Sequence, residues 1–140
     1  MLFSSEDEKE IIEAIRNAEL LSTGEIRVHL DQHLKGDALA TAQDIFYKIG
    51  MQKTKNRNGV LFYVSENLRK VAIIGDENIH KLVRQSFWNE ILEEIIESFK
   101  KEKYKEGLIN AIFKTGNQLK KYFPSDGDNN ENELANEISR

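Results

Sequence analysis

The run Gly59-Val60-Leu61-Phe62-Tyr63-Val64 constrains the fold of this chain more than any other stretch. An unbroken apolar run of this length suits a strand buried on both faces, inside a sheet covered by helices. It falls far short of the roughly 20 apolar residues that cross a bilayer. Upstream, Glu25-Ile26-Arg27-Val28-His29-Leu30-Asp31 alternates polar and apolar with period two, the pattern of a strand with one better buried face. Between these two strands Asp37 can cap a helix whose stripe is Leu39, Ala42, Phe46 and Ile49, with Gly50 at the stop position. A helical crossover makes the two strands parallel and right-handed. Downstream, the short polar turn Ser65–Arg69 leads into Lys70-Val71-Ala72-Ile73-Ile74, a third strand close enough to form an antiparallel hairpin.

Helices frame this core. Ser5 and Glu8 have capping-box spacing, with Phe3 placed as a staple, ahead of a helix from about Glu6 to about Leu21. After Gly75-Asp76-Glu77-Asn78 comes a helical turn around Ile79–Arg84. A helix capped by Ser86 then carries Phe87, Ile91, Ile95 and Phe99 in one row and Trp88, Leu92 and Ile96 beside it. The last helix runs from about Tyr104 to about Tyr122, with Leu108, Ile112 and Leu119 inward and Pro124 at its end. The expectation is an α/β fold with a short mixed sheet, a parallel βαβ unit plus an antiparallel hairpin. Residues 1–124 form one domain, and residues 125–140 form an acidic tail with too little to bury to offset its ordering.

Composition removes several classes of function. With no cysteine there is no disulfide framework, thiolate zinc site or cysteine nucleophile. The formal charge of -4 resides in the tail, where Asp126, Asp128, Glu131, Glu133 and Glu137 against Arg140 leave -4 and a neutral body. A neutral body argues against nucleic acid and anionic membranes as partners. The N-terminal residues lack the basic and apolar regions of a secretion signal, so a cytoplasmic location is expected.

Strand direction indicates where a site would lie. If strands one and two run parallel and strand three returns, Glu25, Asn58 and Asp76 share one edge of the sheet, with Glu77 and Asn78 adjacent. Carboxylate and amide oxygens from three loops, helped by the carbonyls of Gly59 and Gly75, suit a hard cation such as Ca²⁺ or Mg²⁺. The alternative is that Glu25 and Asp76 are solvated strand ends, or that Asp76 caps the helical turn after it.

In order and spacing, Thr23-Gly24-Glu25-Ile26-Arg27-Val28, Asn58-Gly59-Val60-Leu61-Phe62-Tyr63-Val64, Arg69–Asp76 and Tyr104-Lys105-Glu106-Gly107-Leu108 resemble the TPM-domain family over residues 5–123. Lys120–Pro124 and Asn136–Ser139 resemble a soluble bacterial branch of it. The resemblance implies a three-layer α/β/α sandwich, divalent-metal binding and, in at least one plant member, acid phosphatase activity. It places the family's acidic residue after Thr-Gly on Glu25, its Asn-Gly pair on Asn58-Gly59, and its glycine-rich loop on Gly75-Asp76-Glu77-Asn78. Two departures stand out. Gly75-Asp76 replaces a glycine-aromatic-glycine stretch, adding a carboxylate, and Glu102-Lys103 replaces the usual Gly-Asp, removing one.

Other signals read more simply as structure. His29, Asp31 and His33 alternate on a strand at the end opposite the proposed site, as polar residues leaving a sheet do. Asp126-x-Asp128-x-Asn130 with Glu137 mimics an EF-hand loop, but Glu131 stands where the turn needs glycine. No Walker loop, dinucleotide fingerprint or glycine-flanked serine is present. The expected function is divalent-cation binding through Glu25, Asn58, Gly59, Gly75, Asp76 and Glu77. The alternatives are a non-catalytic protein-interaction module, using the loop Gln52–Arg57 and the tail, or a metal-dependent acid phosphatase.

Overall fold

The computed structural model of the chain describes residues 2–125 and 138–140. The elements are α1 (Ser5–Glu19), β1 (Glu25–Asp31), α2 (Ala38–Lys48), a 3₁₀ turn (Met51–Lys53), β2 (Gly59–Ser65), β3 (Lys70–Gly75), α3 (Glu77–Lys100) and α4 (Tyr104–Tyr122). The sheet order is β1-β2-β3, with β1 parallel and β3 antiparallel to β2, as the crossover and the short turn require. Every residue of β2 is buried.

Alternation along the strands sorts the residues into two layers. Ile26, Val28 and Leu30 of β1 and Val60, Phe62 and Val64 of β2 join the main core with Ile11 and Ile15 of α1, Trp88 and Ile91 of α3, and Leu108 and Ile112 of α4. Tyr63 and Leu61 point to the other face, where Ala42 and Phe46 of α2 cover them. The result is helix, sheet, helix in three layers. Leu39, assigned to the α2 stripe, is 49% exposed. It lies beside the outer edge of β3, where no strand covers it among the described residues.

The helix ends shift two expectations. Ser4, in extended backbone, is the cap of α1: its hydroxyl accepts from the amide of Asp7 and the Asp7 carboxylate accepts from the Ser4 amide, both at 3.0 Å. The capping box therefore sits one residue earlier than Ser5 and Glu8, because α1 begins at Ser5 and its third position falls on Asp7. The helical turn and the helix after it are two helices within the span α3, as expected, but they meet at a kink at Arg84 (φ 67°, ψ 169°), ahead of Ser86. The indole N–H of Trp88 donates to Nδ1 of His80 at 3.1 Å and ties the two halves across this break.

Most of the tail expected to stay unfolded, residues 126–137, lies outside the described residues. Its last residues differ from that expectation. The Ser139 amide donates to the Val28 carbonyl at 3.0 Å and its carbonyl accepts from the Leu30 amide at 2.8 Å, so residues 138–140 lie parallel along the outer edge of β1. Ile138 packs on the main core, and Arg140 pairs with Glu8 at 2.5 Å. No helix among the described residues is long and apolar enough to cross a membrane.

Helices α1 and α4 approach closely at Gly116. A Cβ on this residue would stand 2.6 Å from Ala18 Cβ and 2.8 Å from the Ala18 Cα and carbonyl oxygen. Backbone atoms cannot give way as a flexible side chain can. Gly116→Ala gains about 1 kcal/mol of helix propensity but forces overpacking worth about 1–3 kcal/mol. The expected outcome is a net loss of stability of up to about 2 kcal/mol, read as a lower midpoint in urea denaturation at unchanged slope.

Candidate functional site

The strand register brings the predicted residues to one edge. Glu25 is the direct partner of Gly59, and the Asp76 amide donates to the Gly59 carbonyl at 2.8 Å. Glu25, Gly59 and Asp76 thus form a row across three strands, and with strands about 4.8 Å apart the outer two Cα atoms are about 10 Å apart. Asn58 and Gly75 lie next to this row. Glu25, Asn58 and Asp76 are all buried.

Two arrangements of charge occupy the edge. On the β3 side the Arg57 guanidinium grips Asp76 with both arms, Nε to Oδ2 at 2.9 Å and Nη2 to Oδ1 at 3.0 Å, and reaches Glu77 with Nη1 at 3.4 Å. The same Asp76 carboxylate accepts from the Glu77 amide at 2.8 Å and caps α3, the role open to it as an alternative in the sequence. Asp76 therefore has its cation already, and the side chain of Glu77 is 61% exposed. The hydrogen bond to Asp76 raises the Arg57 pKa further.

On the β1 side the sequence reading missed a residue. Glu19, the last residue of α1, is buried and hydrogen-bonded to Glu25, while its Oε2 accepts from the Ile26 amide at 2.7 Å. Burial pushes the Glu19 carboxyl up from 4.5 to about 9; the Ile26 amide opposes this and the neighbouring Glu25 charge adds to it. Glu19 thus favours its protonated form at neutral pH, beside Glu25. The missed signal is local: Ile11, Ile15 and Glu19 follow one another at four-residue spacing on the inward face of α1, so an acid stands on an apolar stripe.

Thr23 links this pair to the loop before β2. Its hydroxyl accepts from the side-chain amides of Asn56 at 2.9 Å and Asn58 at 3.1 Å. With its nitrogen turned to Thr23, Asn58 leaves Oδ1 buried without a hydrogen-bond partner among the described residues. A buried acceptor of this kind costs about 1–3 kcal/mol. The expected coordination sphere is therefore divided. Glu25 lies with Glu19 and Asn58 with Thr23, whereas Asp76 and Glu77 are turned to Arg57, and among the described residues no three His, Cys, Asp or Glu side chains are grouped to hold a metal ion.

At the opposite end of β1, the ring of His29 stacks on Tyr63, with centroids 6.0 Å apart, and its Nδ1 is 2.9 Å from the Ser139 hydroxyl. Burial pushes the imidazole pKa down. Asp31 accepts from the Tyr63 hydroxyl at 2.5 Å and from the His33 amide at 2.9 Å. These partners account for both side chains structurally.

The carboxyl pair has a direct consequence for stability. Glu19 titrates near 4.5 when unfolded and near 9 when folded, so the folded chain binds the extra proton throughout that window. Its contribution is complete below pH 4.5 and is lost as pH rises towards 9. Glu19→Gln keeps an acceptor for the Ile26 amide and a donor for Glu25. Its melting temperature, followed by circular dichroism, is expected to stay flatter than that of the parent between pH 5 and 9 and to exceed it at the alkaline end.

A model of the TPM domain matches residues 1–118. Among solved structures, the chain is similar to the BA42 protein of the psychrophilic bacterium Bizionia argentinensis, at 40% identity and a TM-score of 0.89 over 98% of this chain and 94% of that one. It is also similar to the N-terminal domain of a protein from P. gingivalis, at 17% identity and a TM-score of 0.72 over 95% and 83%. The N-terminal domain of the cg2496 protein from Corynebacterium glutamicum matches at 15% identity and 0.67 over the same shares; at such identities the two likenesses concern the fold alone. No curated protein sequence matches. With a family model covering most of the chain and the strand order and edge residues in register, this protein belongs to the TPM domain family.

Proposed function

We propose that this protein binds a divalent cation, Ca²⁺ or Mg²⁺, at the β1–β2 edge of its sheet, through Glu25 and Glu19 with the side-chain oxygen of Asn58. The observation that carries this reading is the chemistry left at that edge: two buried carboxyl groups in hydrogen-bond contact, and a buried amide oxygen with no hydrogen-bond donor among the described residues. Oxygen donors of this kind suit a hard cation that keeps some of its waters. A divalent ion would replace the Glu19 proton and satisfy the Asn58 oxygen. The ligand set departs from the one read in the sequence, since Asp76 and Glu77 would join only by exchanging Arg57 for the metal, and the Gly59 carbonyl already accepts from Asp76.

Competition between metal and proton gives the test. Amide NMR titrations with CaCl₂ and MgCl₂ at pH 6 and pH 8 should move resonances of Glu19, Thr23–Ile26 and Asn56–Gly59. Affinity should rise by up to about tenfold per pH unit where one proton is displaced. Glu25→Gln should abolish these shifts. Shifts confined to residues 126–137, or titrations indifferent to Glu25→Gln and to pH, would show only a diffuse attraction to acidic side chains and refute the site.

A further inference from the structure

The two edges of the sheet differ. Residues 138–140 pair with the outer edge of β1, whereas among the described residues nothing pairs with the outer edge of β3. In an antiparallel ladder, residues alternate between those bonded to the neighbouring strand and those whose amide and carbonyl turn away from it. The bond from the Asp76 amide to Gly59 sets this phase: Lys70, Ala72 and Ile74 bond to β2, and Val71, Ile73 and Gly75 present their main-chain groups outward. Such an edge is a template for another strand.

The edge also has side-chain pockets. Two cavities of about 350 and 260 Å³ lie along it between α2 and α3, the first beside Val71–Ile73 and the second beside Ile73–Gly75. Their two-residue offset matches the repeat at which an incoming strand projects side chains to one side, about 6.8 Å. Trp88 and Leu39 line both cavities, and Gln43 and Asn89 add uncharged amides. Asp37 is the one carboxylate among the lining residues, and no lysine or arginine is among them.

We infer that the outer edge of β3 docks an extended peptide as a fourth strand, with uncharged side chains in the two cavities and a basic side chain beside Asp37. Strand addition draws affinity from main-chain bonds and selectivity from pockets for alternate side chains, and both elements are present here. The charge of Asp37 sets the sign of the partner residue. A single strand needs only the main-chain groups and the two cavities, whereas a second copy must also accommodate its own α2 and α3 beside this groove. This surface is separate from the Glu19–Glu25 pair, and neither reading depends on the other.

The probe is an acetylated, amidated six-residue peptide that alternates valine and threonine and ends in lysine, added to the isotope-labelled full chain. The amides of Val71, Ile73 and Gly75 should shift and exchange more slowly with solvent, and a glutamate-ended peptide should bind about threefold more weakly, as expected for an exposed ion pair. Asp37→Asn keeps a good cap for α2 and should bring the two peptides to equal affinity. Ile73→Pro removes an outward amide that β2 does not use, and should lose peptide binding with β1 and β2 resonances unmoved. If that variant fails to fold, the Asp37→Asn comparison still decides. No shift at the three amides with either peptide at millimolar concentration, or equal affinity of both for the parent, overturns the inference. So does protection of those amides in a dimer without peptide, since the edge would then belong to a second copy.

Discussion

β2 has no side that meets water. All seven residues from Gly59 to Ser65 are buried, so its two faces need helices and its two edges need strands. A slip of one residue would exchange the main-core set Val60, Phe62 and Val64 with Leu61, Tyr63 and Ser65, which face α2. The register of β1 and β3 is locked by that mismatch. The row Glu25, Gly59 and Asp76 follows from it, and with it the chemistry of the whole edge.

At that edge the fold removes carboxylates from water in two ways. Asp76 gains a bidentate guanidinium and the start of α3, so its negative charge is balanced where it stands. Glu19 meets Glu25 and accepts from the Ile26 amide, and burial pushes its carboxyl up so that a proton offsets its charge. The first arrangement is committed. The second would be exchangeable under the proposed function, since a divalent ion competes with a proton for carboxyl oxygens. The edge is thereby split into a structural half and a chemical half only two strands apart.

The outer edge of β1 is closed by main-chain bonds from Ser139, whose hydroxyl also meets His29. A segment of three described residues closes the β1 edge, while among the described residues nothing pairs with the outer edge of β3 between α2 and α3. That asymmetry separates the two candidate surfaces: carboxyl chemistry at the end of the sheet, main-chain complementarity along its side.

Much of this architecture was legible before any coordinates. The alternation over Glu25–Asp31, the apolar run over Gly59–Val64 and the short turn at Ser65–Arg69 set strand order and direction, because periodicity and loop length act locally. Asp37 as a cap and the span of α4 were read from the same local rules. The common edge of Glu25, Asn58 and Asp76 followed from strand polarity alone. Partnership at that edge did not. Arg57 meets Asp76 across nineteen positions, and Glu19 meets Glu25 across the turn after α1. Residues 138–140 reached β1 from a segment whose composition argued against order. Backbone preference is encoded over a few neighbouring residues, whereas desolvation and charge pairing depend on distances in space, which the chain acquires only when its layers close around β2.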